Sequence, residues 1–302
     1  MSLHIDYRPQ TFDDVIGNTE LVESLSTILK DKKRPHSYLL TGPTGCGKTT
    51  IGRIIAKELG CSDQDFKEID SADFRGIDAV REIRKQLGYY PIEGEVRVWL
   101  IDEIHKSTND AQNAMLKMLE EPPKHVYFIL CTTDPQKLIK TLKNRCTLFE
   151  VQKLSQREMT GLIRRVTKAE DETLLKPVYE QIIKSADGHP RNALQLLTKV
   201  LGAEPENRIE IAQHHEEEEA ESIELCRALL NQKSWGTVSA ILSKLQKQEA
   251  ETVRRVVLGY CKSVLLKGDN TTAGLIMGEF IDPFYDTGFP GLVFACYSVV
   301  QG

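Results

Sequence analysis

The chain has 302 residues, of which 40% are hydrophobic and 27% charged, and its formal net charge is −5. This composition is typical of a globular protein, excludes a wholly disordered or collagen-like chain, and at this length predicts two or three domains. Residues 1–205 carry 30 basic and 30 acidic side chains, so the acidic excess lies entirely in residues 206–302. The acidic total therefore does not exclude a local nucleic-acid surface in the first two thirds.

The lack of a recognisable targeting signal, together with the cysteine spacing, predicts a reduced intracellular environment. No apolar segment approaches 18 residues, and the first residues lack a basic region followed by an apolar one, so we expect no membrane association and a cytoplasmic location, the host's if the protein is viral. The seven cysteines form no C-x-x-C pair. Free thiols are therefore expected, with neither a zinc ribbon nor a disulfide framework.

Over the first 150 residues, short apolar segments alternate with amphipathic helical patterns. They are rich in β-branched and aromatic residues and mostly lack an alternating pattern, which indicates strands buried on both faces of a parallel sheet. Such an alternation of strands and helices predicts an α/β domain covering residues 1–152. The five predicted strands are Tyr38–Leu40, Phe66–Ile69, Val96–Ile101, Val126–Cys131 and Thr147–Val151.

Helical patterns dominate after residue 152. Ser155 and Glu158 form a capping box that begins one helix, and Pro190 favours the start of another, which together predict a small helical domain over residues 153–203. A second all-helical domain is expected over residues 204–302. Its segment Phe289–Val300 is nearly uncharged and should be buried, within its own domain or against a neighbour. The acidic run at 214–219 fits a solvated face better than a metal site.

A phosphate-binding loop lies between the first predicted strand and a helix predicted from Thr50 to Leu59. Its residues match G-x-x-x-x-G-K-[ST], and the strand–loop–helix context supports the assignment to ATP. Glycines let successive N–H groups point at one anion, and the helix N-terminus adds positive charge. Lys48 is predicted to reach the β- and γ-phosphates and the Thr49 hydroxyl to bind Mg²⁺. The predicted phosphate-loop residues are Gly42, Pro43, Thr44, Gly45, Cys46, Gly47, Lys48, Thr49 and Thr50.

Two adjacent carboxylates follow the buried strand Val96–Ile101. Asp102 is predicted to hold Mg²⁺ through water and Glu103 to polarise the attacking water as a general base. An acidic pair after a strand can also be only a helix cap, but the phosphate loop about 50 residues upstream favours the catalytic interpretation.

With these motifs and several further segments, the chain resembles the AAA+ clamp-loader ATPases. This family includes the bacterial polymerase III γ subunit, the small replication factor C subunits and the phage clamp-loader large subunit. The motifs occur in the family's order and spacing across about two thirds of the chain. The sequence differs from the family pattern at Asn144, where the family has serine. It also lacks the zinc-binding cysteine module of the bacterial members. The segments that carry the resemblance are Tyr7–Asn18, Gly42–Thr49, Asp102–Lys106, Leu119–Pro123, Thr132–Leu138, Asn144–Cys146 and Gly188–Leu194.

This resemblance implies further roles around the nucleotide. Thr133 is expected to sense the γ-phosphate from a neighbouring strand, and Arg191 to reach the same phosphate from the helical lid. Arg145 is expected to act as an arginine finger on ATP bound by the adjacent subunit. The residues expected to line the adenine pocket are Tyr7, Arg8, Val15 and Ile16.

The family also implies contacts with DNA and with a sliding clamp. Phosphate contacts of this kind position a duplex without reading its sequence. The alternative for the helical cations is a solvated face with i,i+3 and i,i+4 ion pairs. Tyr89 and Tyr90 fit either a hydrophobic pocket of the clamp or core packing. The expected DNA contacts are Arg75, Arg81, Arg84, Lys85 and Lys106.

The resemblance therefore implies an ATPase subunit that opens a sliding clamp and loads it on primer–template DNA, within a pentamer that the last helical domain holds together as a collar. The cofactors implied are ATP and Mg²⁺. Two alternatives stay open: a non-hydrolysing scaffold subunit of the loader, and another AAA+ machine such as a branch-migration motor or a recombination factor.

Overall fold

In the computed structural model, the described residues are 2–69, 76–246, 248–266, 268–285 and 287–301, without the side chains of 213–220. The chain divides into two compact units, Met1–Glu204 and Pro205–Gly302. Among the described residues, no helix is both long and apolar enough for a membrane crossing.

The first unit is built on a five-stranded sheet in which every pairing is parallel, with the strand order β2-β3-β4-β1-β5. The predicted α/β class and all five predicted strands are confirmed. The three inner strands are buried along their whole length, as predicted. β2 and β5 are partly exposed, because each lies at an edge of the sheet with one neighbour instead of two. The strands are β1 Ser37–Thr41, β2 Cys61–Ile69, β3 Val96–Ile101, β4 Val126–Thr132 and β5 Thr147–Glu150.

Helices cover both faces of this sheet, which accounts for the apolar character of its inner strands. Leu40 of β1 joins one apolar core, with residues of α2 and α3. Leu39 points to the opposite face and joins a second core, with residues of α4 and α5. The helices are α1 Leu3–Asp6, α2 Thr19–Lys30, α3 Lys48–Glu58, α4 Ile77–Gln86, α5 Asn109–Glu120, α6 Lys140–Lys143, α7 Gln156–Ala169, α8 Lys176–Ala186 and α9 Pro190–Leu201.

Local capping chemistry sets where several helices begin. Ser155 caps α7 through the predicted capping box with Glu158, and Pro190 is the first residue of α9, as predicted. α3 begins at Lys48, two residues before the predicted Thr50, because the last glycine of the loop already provides its cap in the left-handed conformation.

The second unit consists of five helices around its own apolar core among the described residues. α14 buries Leu292, Ala295 and Cys296, whereas Phe294 and Tyr297 are 68% and 44% exposed. The nearly uncharged C-terminal helix is thus buried on only one face within its unit. The acidic run predicted to be solvated lies outside the described side chains. The helices are α10 Arg208–Leu230, α11 Trp235–Leu245, α12 Ala250–Leu265, α13 Thr271–Glu279 and α14 Gly288–Gln301.

Candidate nucleotide-binding and hydrolysis site

The predicted phosphate loop joins the end of β1 to the start of α3. Gly42, Gly45 and Gly47 all have positive φ angles, of 140°, 76° and 101°. At Gly42 a Cβ atom would lie 2.1 Å from the carbonyl oxygen of Val151, so only glycine fits there. Lys48 is 5% exposed, and its Nζ donates hydrogen bonds of 2.9 Å to the carbonyl oxygens of Gly42 and Pro43. The lysine therefore lies across its own loop, where an anion would compete for it.

Thr49 and Asp102 meet although 53 residues separate them. The Thr49 hydroxyl donates a 2.7 Å hydrogen bond to Oδ2 of Asp102. Parallel strands end at the same edge of a sheet, and two connections leave that edge here: the phosphate loop from β1 and the acidic pair from β3. Hydroxyl and carboxylate oxygens are hard ligands of the kind that Mg²⁺ prefers, so these two residues fit the metal predicted for them.

Glu103 takes a left-handed backbone conformation with a φ of 51°, which is uncommon for a residue other than glycine. Its Oε2 lies 3.4 Å from the hydroxyl of Thr133, which donates to it, and 3.5 Å from Nε2 of His105. Nζ of Lys106 is 4.0 Å away. The predicted general base and the predicted sensor threonine are thus in contact.

A cavity of about 650 Å³ extends from the phosphate loop. The predicted adenine-pocket residues Tyr7, Arg8, Val15 and Ile16 all line it, and so do Asp102 and Glu103. An opening of this size suits a nucleotide.

Apart from Arg191, the cavity wall that the small helical segment supplies was not predicted from the sequence. α7 and α9 bring apolar residues and Arg165 to the cavity, and their amphipathic patterns were the available signal. The direction in which those faces point depends on tertiary packing and could not be predicted from the patterns. The missed lining residues include His4, Asp6, Leu162, Arg165, Val166 and Leu194.

Two long-range contacts join the N-terminal segment to the helical segment, and a third joins it to residue 152, just before that segment. Arg165 forms a 2.9 Å ion pair with Asp14, which lowers the pKa of that carboxyl. The Tyr7 hydroxyl donates to Glu170 at 2.5 Å, and this hydrogen bond raises the pKa of the phenol. The side-chain amide of Asn18 bonds the backbone N–H and C=O of residue 152, at 2.7 and 3.1 Å. These contacts therefore connect the N-terminal segment with the other parts of the chain that line the nucleotide cavity.

The two predicted phosphate-sensing arginines lie in different places. Arg191 stands in the first turn of α9 and lines the cavity, and its backbone N–H donates to the carbonyl oxygen of Gly45 at 3.4 Å. Arg145 is not among the residues that line the cavity. Its guanidinium instead contacts Glu120, with the closest N–O distance 3.1 Å, and donates to the carbonyl oxygen of Thr141 at 3.0 Å.

The predicted DNA contacts lie mostly on one helix. Arg81 and Lys85 of α4 form exposed ion pairs with Asp78 and Glu82, each three residues away. This is the arrangement that the solvated-face alternative predicted. Exposed pairs of this kind contribute little to the stability of the fold, so each cation can exchange its carboxylate for a phosphate. Arg84 of the same helix forms no ion pair with any described residue. Lys106 lies 4.0 Å from Glu103. Arg75 lies outside the described residues.

Tyr89 and Tyr90 lie on the surface, with exposures of 65% and 79%, so the core-packing alternative was wrong. Their loop is nevertheless held firmly. The buried Asp65 accepts hydrogen bonds from the backbone N–H groups of residues 92, 93 and 94, and the Tyr90 ring stacks on His125. Nearby Ile92 is also 68% exposed. The structure thus presents a small apolar surface on an anchored loop.

Solved structures show to which fold class this arrangement belongs. The chain aligns with Thermotoga maritima RuvB, a Holliday junction branch migration motor, with a TM-score of 0.57 and 24% identity over 70% of this chain and 72% of that one. A point mutant of the same protein gives a TM-score of 0.60 at 20% identity, over 80% of this chain and 88% of that one. At these identities the likeness establishes the fold alone, which the chain shares with Thermotoga maritima RuvB.

Sequence comparisons identify the family within that class. Residues 64–155 match the model for the DNA polymerase III delta subunit and residues 4–87 that for the Rad17 P-loop domain. The chain is 32% identical over 232 residues to DNA polymerase III subunit gamma/tau of Mycobacterium tuberculosis and 35% identical over 221 residues to subunit tau of Bacillus subtilis. These alignments cover 69% and 66% of this chain, but only 40% and 39% of the relatives. The chain belongs to the AAA+ clamp-loader ATPases, as its sequence motifs predicted.

Proposed function

We propose that this protein is the ATP-hydrolysing subunit of a sliding-clamp loader, which opens the clamp and loads it on primer–template DNA. The observation that carries the proposal is the assembly, at one cavity, of the phosphate loop, the Thr49–Asp102 pair and the Glu103 carboxylate. A non-hydrolysing scaffold subunit would have no need of this set. The proposal also includes the cytoplasmic location expected from the sequence.

The site's chemistry follows from the positions of its side chains. ATP phosphates would accept hydrogen bonds from the loop N–H groups, and Lys48 would turn from the carbonyl oxygens of Gly42 and Pro43 towards the β- and γ-phosphates. Mg²⁺, held by Thr49 and Asp102, would neutralise charge on the phosphate oxygens. Glu103 would accept a proton from the water that attacks the γ-phosphorus.

The position of Arg145 supports hydrolysis between subunits. Phosphoryl transfer spreads negative charge over the equatorial oxygens, where a guanidinium stabilises the transition state. Because Arg145 lies away from its own chain's cavity, we infer that it completes the site of an adjacent subunit. The second unit offers an assembly surface, since it carries several large apolar side chains that are exposed in the single chain: Leu275, Ile281, Tyr285, Phe294 and Tyr297.

Contact with DNA and clamp would couple this hydrolysis to loading. Arg81 and Lys85 can bind backbone phosphates by exchanging weak surface pairs, and Arg84 and Lys106 supply further positive charge, which suits binding without sequence preference. ATP binding would stabilise the state that grips the clamp and DNA, and hydrolysis would release them, because each nucleotide state has a different affinity for these partners.

The nucleotide site is tested with Lys48→Met in the assembled complex. We expect this variant to weaken ATP binding by about 10- to 100-fold, because a hydrogen-bonded charge to phosphate contributes roughly 1.5–3 kcal/mol. The measurement is titration with a fluorescent ATP analogue, followed by ATP turnover and clamp loading on primed DNA. Lys30→Met, on the exposed end of α2, serves as the matched control. Unchanged ATP affinity in Lys48→Met would remove the basis of the proposal.

Clamp contact is tested at the exposed aromatic pair. The double variant Tyr89→Ala/Tyr90→Ala should weaken ATP-dependent binding of the complex to its clamp by about 10-fold or more, because aromatic side chains at the centre of an interface each contribute more than roughly 1 kcal/mol. Surface plasmon resonance on immobilised clamp measures this affinity. Leu175→Ala, which removes an equally exposed apolar side chain that precedes α8, is the control. Full clamp affinity in the double variant would rule out this surface.

A further inference from the structure

His105 lies between Glu103 and the end of β4. It belongs to the short 3-10 turn Ile104–Lys106 that follows β3, and its side chain is 9% exposed. Nδ1 lies 2.9 Å from the hydroxyl oxygen of Thr132, while Nε2 lies 3.5 Å from Oε2 of Glu103. The ring is therefore hydrogen-bonded to a buried strand residue on one side and faces, on the other, the carboxylate proposed to polarise water.

The acceptor that faces the ring indicates which nitrogen carries the proton: a carboxylate only accepts, so Nε2, the nitrogen that faces Glu103, is the donor. The Thr132 hydroxyl oxygen already accepts a 3.0 Å hydrogen bond from the backbone N–H of Asp134, and its own hydrogen can be donated to Nδ1. A neutral imidazole that accepts at Nδ1 carries its proton on Nε2, on the side of Glu103. Burial, helped by Lys137 and Lys106, lowers the pKa of His105 against the opposing effect of Glu103 and Asp134, which favours this neutral form.

His105 is better suited to orient Glu103 than the other two groups nearby. Lys106 is farther away, at 4.0 Å, and its side chain is 51% exposed, so it is free to move. Thr133 contacts the same oxygen but is itself the predicted phosphate sensor. The left-handed backbone of Glu103 sets only the direction in which its side chain leaves the chain, so the carboxylate needs a partner of its own to hold one orientation.

We propose that His105 is a positioning residue for ATP hydrolysis, holding the Glu103 carboxylate through Nε2 while Thr132 fixes the ring through Nδ1. This inference rests on the proposed ATPase function. His105 is not among the residues that line the nucleotide cavity, so its role concerns the rate of hydrolysis and not ATP affinity.

Two amide substitutions separate the roles of the two ring nitrogens. Glutamine can place its side-chain N–H₂ near the position of Nε2, whereas asparagine reaches only the position of Nδ1. His105→Asn should lower kcat by about 10- to 100-fold, the usual effect of losing a group that orients an active-site residue. His105→Gln should retain most of the wild-type rate. In both variants the affinity for the ATP analogue and the melting temperature should stay at wild-type values.

The same substitution in a Glu103→Gln background provides the decisive control. If His105 acts through Glu103, His105→Asn should not slow the residual turnover of Glu103→Gln any further, because residues that act as a unit are not additive. Thr132→Val, which removes the hydroxyl and keeps the shape, should lower kcat in the same direction as His105→Asn.

Three results would overturn the inference: wild-type kcat in His105→Asn, an equal loss in His105→Gln and His105→Asn, or a further loss in the Glu103→Gln background. A loss of ATP affinity in parallel with kcat would also assign His105 a merely structural role. Failure of the wild-type complex to hydrolyse ATP would instead contradict the proposed function, so the two failures are distinguishable.

Discussion

Replacing Arg145 with alanine is expected to lower ATP turnover of the DNA-bound complex by about 10³-fold or more, the range measured when an arginine finger is removed from phosphoryl transfer. ATP affinity should change little, because Arg145 does not line the cavity of its own chain. Steady-state ATPase assays, with analogue titration in parallel, measure the two quantities. Arg157→Ala, an exposed arginine of α7, is the control.

A mixing experiment tests whether the arginine acts between subunits. A Lys48→Met chain lacks a working phosphate site but keeps Arg145, whereas an Arg145→Ala chain keeps its site and lacks the finger. Complexes that contain both should recover part of the turnover that neither variant shows alone. Recovery would require that one subunit's arginine completes another's site. Wild-type turnover by Arg145→Ala, or no recovery on mixing, would contradict this assignment.

The second large effect is expected in the stability of the helical unit, at Glu251. This carboxylate is 4% exposed and accepts hydrogen bonds from Arg254 at 2.7 and 2.8 Å, from Arg255 at 3.3 Å and from the backbone N–H of Phe284 at 3.1 Å. Glu251→Ala removes the carboxylate of a buried ion pair and leaves the Arg254 guanidinium without its charged partner. The unfolding free energy of this unit should therefore fall by about 3–5 kcal/mol.

Urea unfolding at pH 7 measures this loss. The chain has two tryptophans, and a Trp99→Phe background leaves Trp235 of α11 as the reporter of the helical unit. Glu251→Gln, which keeps the shape and can still accept from Phe284, should lose less than Glu251→Ala. A change below about 1 kcal/mol for Glu251→Ala would show that the pair contributes no more than an exposed one.

The same carboxylate predicts a pH dependence. Hydrogen bonds from Arg254 lower the pKa of Glu251 to about 2 in the folded protein, from an ordinary value of 4.5. Since the folded pKa is the lower one, the stabilisation is complete above about pH 4.5 and declines as the pH falls towards 2. The Glu251→Gln variant should therefore lose less stability than the wild type over this interval.

The sequence by itself determined the features that depend on neighbours along the chain. Short apolar segments rich in β-branched and aromatic residues located all five strands, since an inner strand is buried on both faces and needs an unbroken apolar segment. Capping residues located the starts of α7 and α9, because a cap satisfies backbone groups only a few positions away. The phosphate loop was equally readable, because its glycines supply local backbone angles that other residues adopt with strain.

Only the tertiary structure decided which of these local features meet. Strand order brings Thr49 within 2.7 Å of Asp102 and places His105 between Thr132 and Glu103. Strand order also leaves β2 and β5 at the edges of the sheet. The packing of the other elements exposes Tyr89 and Tyr90 and turns α7 and α9 towards the nucleotide cavity. No local pattern encodes these contacts, because an apolar segment indicates that a strand is buried but does not indicate which strands lie beside it.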